Sequence, residues 1–181
     1  VKGISFCREN KIPFLGICLG LQCSVIEFSR NVLGLMDANS QEFDPGTPNP
    51  VVHYLEGQSK DIKKSGTMRL GSYDCVIADK TSIAFEVYKK KNISERHRHR
   101  LEVNGEYVAR LGEKGFKVSG VHVEEGKEDL VEIMELDRSL HPYFVGCQGH
   151  PEFKSRLGDP APLFFGLIQA AVVYKNSKAE V

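Results

Sequence analysis

The sequence predicts an α/β fold: a mostly parallel central sheet flanked by helices, with a small antiparallel extension. Residues 12–33 run from an apolar stretch through a glycine-flanked turn into a helical repeat, the strand–turn–helix unit of a parallel sheet. Strand and helix signals alternate after it, and the later chain crowds three strand signals together, as an antiparallel run would. With 181 residues, 41% apolar and 27% charged, the chain has the size and composition of one packed domain over residues 1–181.

At the start, "VKGISFCREN" puts Val1, Ile4 and Phe6 or Cys7 near one helical face. "KIPFLGI" follows as a short, fully buried strand of the kind found in the middle of a parallel sheet. From Leu19 to Leu33 the residues Leu21, Val25, Phe28 and Val32 recur at helical spacing, and Gly34 sits where a helix ends. Residues 37–66 are polar and rich in Pro and Gly, which predicts long surface loops around one short strand, "VVHYL". "TMRLGSYDCVIA" and "ISERHRHRLEV" read as strands and "NGEYVARLGEKG" as a helix. "FKVSGVHVE", "LVEIMEL" and "YFVGCQG" read as three further strands, and "PLFFGLIQAAVVYK" as a closing helix.

Composition excludes several function classes. Lysine plus arginine balances aspartate plus glutamate at 24 each, so nothing in the net charge points to nucleic acid or an anionic membrane. No apolar stretch approaches the roughly 20 residues of a spanning helix, and the first residues lack a secretory signal's apolar region and cleavage site. The five cysteines, Cys7, Cys18, Cys23, Cys75 and Cys147, form no C-x-x-C pair. That argues against a disulfide framework or a metal site and for a reducing, cytoplasmic setting.

Cys18 lies between Gly16 and Gly20 at the strand-to-helix turn. Such a turn presents its side chain at the C-terminal edge of the sheet, where α/β proteins bind ligands, and the following helix aims free N–H groups at it. A thiol there can be lowered toward roughly pKa 7 and act as a nucleophile. From the pattern alone a buried core cysteine between two convenient glycines is an equal reading. Cys23, five residues on and across the helix, reads as core.

In "GHPEF", the proline pushes His150 toward extended backbone, and an extended segment points His150 and Glu152 the same way. The carboxylate can then orient the imidazole while its other nitrogen serves a thiol. Alone this reads first as an ordinary surface turn; beside a Cys18 elbow the balance turns over to a catalytic pair. In "ERHRHRLEV", Arg96, Arg98 and Arg100 face one way and His97 and His99 the other. An arginine at its end suits a substrate carboxylate.

Taken together, "PFLGICLGLQCSVIEFSRNVLGLMDANSQEF", "GTMRLG", "ERHRHRLEVN" and "HPYFVGCQGHPEF" resemble the class I glutamine amidotransferase domain of the CTP synthases, over nearly the whole chain. The resemblance implies that Cys18 attacks the side-chain amide of glutamine, with His150 as base and acid and Glu152 orienting it. It implies Leu19 as an oxyanion N–H donor, and Leu19, Gln22, Glu42 and Arg100 as glutamine-binding residues, Glu42 near the ammonium and Arg100 near the carboxylate. "GTMRLG" resembles a lid loop tied to activation by GTP, through Thr67 and Arg69. The domain itself would need no cofactor and no metal. Ammonia would pass to a synthase domain of the same polypeptide, absent here, which uses ATP, UTP and Mg, in an enzyme that forms homo-oligomers (tetramers).

Two departures qualify the likeness. The family's glycine-rich loop, resembling "GGFG", precedes the first helix and supplies a second oxyanion donor. The chain starts after it, so that donor and the first strands are expected to be missing, with apolar surface exposed and a rate loss of about two to three powers of ten. Gly149 stands where the family carries Phe or Tyr, so Gly149→Phe is expected to raise, or at least not lower, activity. The competing readings are another triad amidotransferase, a γ-glutamyl hydrolase, or a non-catalytic assembly module.

Overall fold

The computed structural model describes residues 1–54 and 68–179. The part of the expected loop region over residues 55–66, and Thr67, lie outside the described residues. The chain opens on α1 (Lys2–Glu9), which leads into β1 (Phe14–Ile17) and then α2 (Leu19–Asn31). Next come β2 (Ala38–Ser40), β3 (Asn49–Tyr54), β4 (Arg69–Ile77), α3 (Ile83–Tyr88), β5 (Asn92–His99) and β6 (Leu101–Val103). A 3-10 turn runs into α4 (Val108–Glu113), followed by β7 (Phe116–His122), β8 (Leu130–Leu136), β9 (Phe144–Cys147) and α5 (Pro162–Ala179).

The α/β expectation holds, with a parallel part joined to antiparallel strands. The six-stranded sheet has the order β1-β9-β8-β7-β4-β5, and a second sheet has the order β2-β3-β6. The β1–β9 pair is parallel, as is β2–β3, whereas β9, β8, β7, β4 and β5 succeed one another antiparallel, a larger extension than the sequence suggested. The short "EEGKED" connection between β7 and β8 permits only an antiparallel return, since a parallel one needs a long crossover. One expectation is corrected. β1 is the edge of the six-stranded sheet, and Phe14, Leu15 and Ile17 are half-buried because β9 is its one partner among the described residues.

The expected strand over residues 93–103 divides at Arg100. Up to His99 it pairs with β4 in the large sheet; from Leu101 it pairs with β3 in the small one. The bend at Arg100 thereby hands the chain from one sheet to the other. The sequence reading missed β2 and α3. The latter has a Ser82 cap, whose hydroxyl accepts from the Phe85 N–H, and its first N–H groups are received by the buried Glu135 carboxylate.

Two apolar clusters cover the faces of the large sheet. One joins α2 to Phe116, Met134, Leu136 and Phe144; the other joins α3 and α5 to Ile77, Ile133 and Val145. Apolar side chains are also exposed on α5, among them Phe165, Ile168 and Val172. No helix among the described residues is long and apolar enough to cross a membrane.

The packing of α1 on α2 buries an ion pair. Glu27 is fully buried on α2, and Arg8 of α1 donates to it through Nε at 3.0 and 3.1 Å and Nη2 at 2.8 Å. Asn31 adds a further donor to the same carboxylate at 2.9 Å. Removing the cation would leave a buried carboxylate short of partners. Arg8→Ala is expected to lower stability by about 2–3 kcal/mol in urea denaturation, while Glu9→Ala, at an exposed partner, changes it by less than about 0.5.

Candidate active site

The site is built where two neighbouring parallel strands end. Ile17 of β1 lies in register with Cys147 of β9, and the Cys18 N–H donates to the Cys147 carbonyl at 2.7 Å. At Cys18 the chain turns with φ +50° and ψ −102°, a left-handed conformation that L side chains rarely take, and α2 begins at the next residue. Two glycines in register make room for this. A Cβ on Gly16 would meet the Gly20 backbone at 2.7 Å, and one on Gly146 would meet the Leu21 side chain at 2.7 Å. Both strands lack a side chain at this level, so the first turn of α2 settles directly onto them. Gly20 itself has open space and needs no such exemption.

His150 follows β9 by three residues and is fixed by its own N–H, which donates to the Arg96 carbonyl at 2.7 Å. Pro151–Phe153 forms a 3-10 turn, not the expected extended segment. His150 stands outside the helical region before the proline, at φ −112° and ψ 81°, and the tight turn still brings Glu152 back to the ring, with Nδ1 to Oε1 at 2.6 Å. The Phe153 ring stacks on the imidazole at 5.2 Å. With Nδ1–H donating to the carboxylate, Nε2 carries the lone pair. It is buried and has no hydrogen-bond partner among the described residues. That is the nitrogen a thiol proton would need.

A residue the sequence reading overlooked completes the floor. Gln148 is fully buried, and its Nε2 reaches the Cys18 sulfur at 3.5 Å. Its Oε1 accepts from Gln22 Nε2 at 3.2 Å, and Gln22 also donates to the Leu101 carbonyl at 3.0 Å. The expected site residues therefore fall into groups. Cys18, Leu19, Gln22, His150 and Glu152 share the end of β1 and β9, and Gln22 ties them to the Leu101 strand that Arg100 precedes. Arg100 sits half-buried at the bend.

Glu42 lies exposed in the turn after β2, its N–H donating to Ser40 Oγ. The next turn residue back, Gln41, accepts from Tyr54 N–H, and Tyr54 stands opposite Leu101, so Glu42 is two strands across the small sheet from Arg100. Arg69 starts β4 and is buried over the Tyr73 ring at 4.3 Å and against Glu102 and Glu132. Glu102, Glu132, His97 and His99 form a buried polar group that the sequence reading did not identify as a unit. The available signals were the inward-facing histidines of "ERHRHR" and a glutamate inside the apolar "LVEIMEL". Among the described residues no group of three or more His, Cys, Asp or Glu is placed to hold a metal ion.

The model of the family glutamine amidotransferase class-I matches residues 1–170. The chain belongs to that family. Within it, the chain is 51% identical over 99% of its length to the CTP synthase of Caldanaerobacter subterraneus subsp. tengcongensis, and 52% identical over 98% to that of Fibrobacter succinogenes. It spans about a third of each relative, 32% and 31% of their lengths. The Trypanosoma brucei CTPS glutaminase domain with bound acivicin superposes with a TM-score of 0.85 at 37% identity, covering 93% of this chain and 63% of that one.

Electrostatics correct the expectation of an acidic thiol in this amidotransferase chain. Burial pushes Cys18 up to about 11; the Leu19 N–H and the Gln148 amide pull it down, while Glu102 and Glu152 push it further up. Burial outweighs both donors, so the helix start alone does not ionise the sulfur. The resting thiol is protonated, and its proton must leave as the sulfur attacks. Alkylation of Cys18 by iodoacetamide, resolved by peptide mass, is therefore expected to rise about tenfold per pH unit from neutrality toward about pH 11. A plateau near neutrality would contradict it.

The expectation for Gly149 also reverses. A Cβ there would stand 2.8 Å from the Glu95 Cβ and 3.4 Å from His97 Nε2. The Glu95 Cβ sits on the β5 backbone and cannot swing aside, so any side chain at 149 pushes the His150 segment off β5. Gly149→Phe is expected to cut glutamine hydrolysis by about tenfold or more, and Gly149→Ala by less, measured as ammonia release.

Proposed function

We propose that this chain is the glutamine-hydrolysing part of a CTP synthase, working through Cys18, His150 and Glu152. The observation that carries the reading is the conjunction at the ends of the paired strands β1 and β9: a thiol on a positive-φ elbow after the one, and after the other an imidazole whose Nδ1 is committed to a carboxylate and whose Nε2 is uncommitted. His150 Nε2 takes the thiol proton as the sulfur attacks the glutamine side-chain carbonyl carbon. The carbonyl oxygen becomes an oxyanion that the Leu19 N–H, first in α2, can receive. Collapse expels ammonia, which takes its proton from the imidazolium, and leaves a glutamyl thioester. Water, deprotonated by the same nitrogen, hydrolyses it to glutamate and restores the thiol.

The free amino acid needs one group of each sign. Arg100 suits its carboxylate and Glu42 its ammonium, with Gln22 at the floor between them. The route uses side chains, the Leu19 N–H and water. Ammonia would serve the remaining two thirds of a protein like the CTP synthase relatives, where ATP and Mg activate UTP for amination to CTP. The segment that holds Thr67 and ends at Arg69 would be the part that responds to GTP. Such an enzyme would be a cytoplasmic homo-oligomer.

The test is covalent. A glutamine-analogue electrophile is expected to modify Cys18 and leave Cys7, Cys23, Cys75 and Cys147 untouched in peptide mass analysis. Cys18→Ala is expected to lower ammonia release from glutamine by at least about a thousandfold, while CTP formation from free ammonia by the complete protein is spared. Labelling at another cysteine, or equal loss of both activities, would overturn the assignment.

A further inference from the structure

Beneath the nucleophile lies a closed ring of five buried side chains that the hydrolysis just described does not use. Arg69 Nη1 donates to Glu102 Oε1 at 3.1 Å and to Glu132 Oε1 at 2.7 Å. Glu132 Oε2 meets His97 Nε2 at 3.4 Å, His97 Nδ1 meets His99 Nε2 at 2.9 Å, and His99 Nδ1 meets Glu102 Oε1 at 3.3 Å. The five side chains are between 0% and 7% exposed, so water does not complete their bonds.

Counting hydrogens along this path fixes where they are. His99 Nδ1 faces two acceptors, the Leu101 carbonyl at 3.2 Å and Glu102 Oε1, so that nitrogen carries the hydrogen. His99 Nε2 is then an acceptor, and His97 Nδ1 must donate to it. His97 Nε2 is left with a lone pair, and it faces a carboxyl oxygen. Two neutral imidazoles supply two hydrogens for three links. The third must come from Glu132.

We propose that Glu132 is a protonated carboxyl group that donates to His97 Nε2, and that the Glu132–His97–His99 array so formed is a positioning element for the glutamine site. It acts through two acceptors. The backbone carbonyl of Glu132 receives the Gln148 N–H at 2.8 Å, and the Leu101 carbonyl receives both His99 Nδ1–H and Gln22 Nε2. Those are the two residues linked beneath Cys18, Gln148 reaching its sulfur and Gln22 donating to Gln148. The array thus deepens the reading of this site as a glutamine site, and rests on it.

Charge balance agrees with the hydrogen count. One guanidinium stands against two carboxyl groups, and a proton on one of them leaves the dry cluster neutral. Burial pushes the carboxyl groups of both Glu102 and Glu132 well above the ordinary range, and pushes both imidazoles down to about 3, which keeps the proton on a carboxyl. The other groups facing the array are Tyr73 and Cys75 on β4, Tyr88 of α3 with Glu95 on β5, His122 on β7, Cys147 on β9, and His150 beyond it. Burial pushes Glu102 up to about 8 and Glu132 to about 7, and the hydrogen count decides between them: Glu102 Oε1 already faces the Arg69 and His99 donors, whereas Glu132 Oε2 faces a lone pair.

Two measurements test this. In the protein labelled with nitrogen-15 at histidine, long-range proton–nitrogen spectra at about pH 5.5, where Glu132 keeps its proton, are expected to show His97 and His99 both as neutral Nδ1–H tautomers. Either ring as the Nε2–H form or as imidazolium would overturn the proposal, whether or not glutamine proves to be the substrate. In steady-state hydrolysis, Glu132→Leu is expected to raise KM about tenfold, the effect of one lost buried hydrogen bond on binding. Glu132→Gln, whose amide N–H can donate to His97 as the carboxyl does, is expected to recover most of that loss. It is also expected to hold KM flat between about pH 6 and 8.5, where the parent's KM rises as Glu132 gives up its proton. A Glu132→Gln variant as impaired as Glu132→Leu, or a parent KM independent of pH, would reject the positioning role.

Discussion

Everything at this site depends on how closely one helix start can approach two strand ends. Gly16 and Gly146 stand side by side in register, and neither position has room for a methyl group. Because α2 lies directly on that pair, the chain must reverse within one residue, and Cys18 is forced to positive φ. The strain is held by hydrogen bonds on both sides: the Cys18 N–H to Cys147, and the Cys18 carbonyl from the Gln22 N–H. A looser contact would let the turn relax and withdraw the sulfur.

The same contact decides what the thiol experiences. Set low against the sheet, the sulfur is partly desolvated, and burial outweighs the helix's N–H groups in setting its proton affinity. A protonated nucleophile is of use only if a base waits beside it. The base comes from the next strand, and its readiness is a matter of commitment: Glu152 occupies Nδ1 and Phe153 holds the ring face. The glycine at 149 belongs to this economy of space, since it lets the His150 segment lie flat on β5 and over His97.

The parts governed by local rules were legible in the sequence. The α2 periodicity, the glycine-flanked Cys18 and the His–Pro–Glu order each report a nearest-neighbour constraint, and each maps onto an element or contact found. Three things were not legible. Whether β1 is central or at an edge depends on pairing between distant segments, and an apolar run looks the same in either place. The 3-10 turn at Pro151–Phe153 has too few residues to show a period. The sulfur's proton affinity depends on a sum over burial and remote carboxylates, Glu102 among them, that no motif encodes. The polar ring was half legible: alternation told which side the histidines face, but not that Arg69, 28 and 30 residues earlier than His97 and His99, would meet them across the β4–β5 pairing.

A buried polar ring is a costly way to floor a pocket, since an apolar core would fill the same space at less desolvation. What an apolar core cannot do is hold a carbonyl at a set angle. The Leu101 carbonyl has two lone pairs: His99 takes one and Gln22 the other, so the direction of the Gln22 side chain is fixed by the ring behind it. Gln22 in turn orients Gln148 by donating to its oxygen, which leaves the Gln148 amide nitrogen toward the sulfur. An amide could otherwise present either its oxygen or its nitrogen to Cys18, and the sulfur would meet an acceptor half the time. With each hydrogen along the path assigned by the one before it, the last group in the sequence must be a donor, and a donor is what a sulfur becoming thiolate requires.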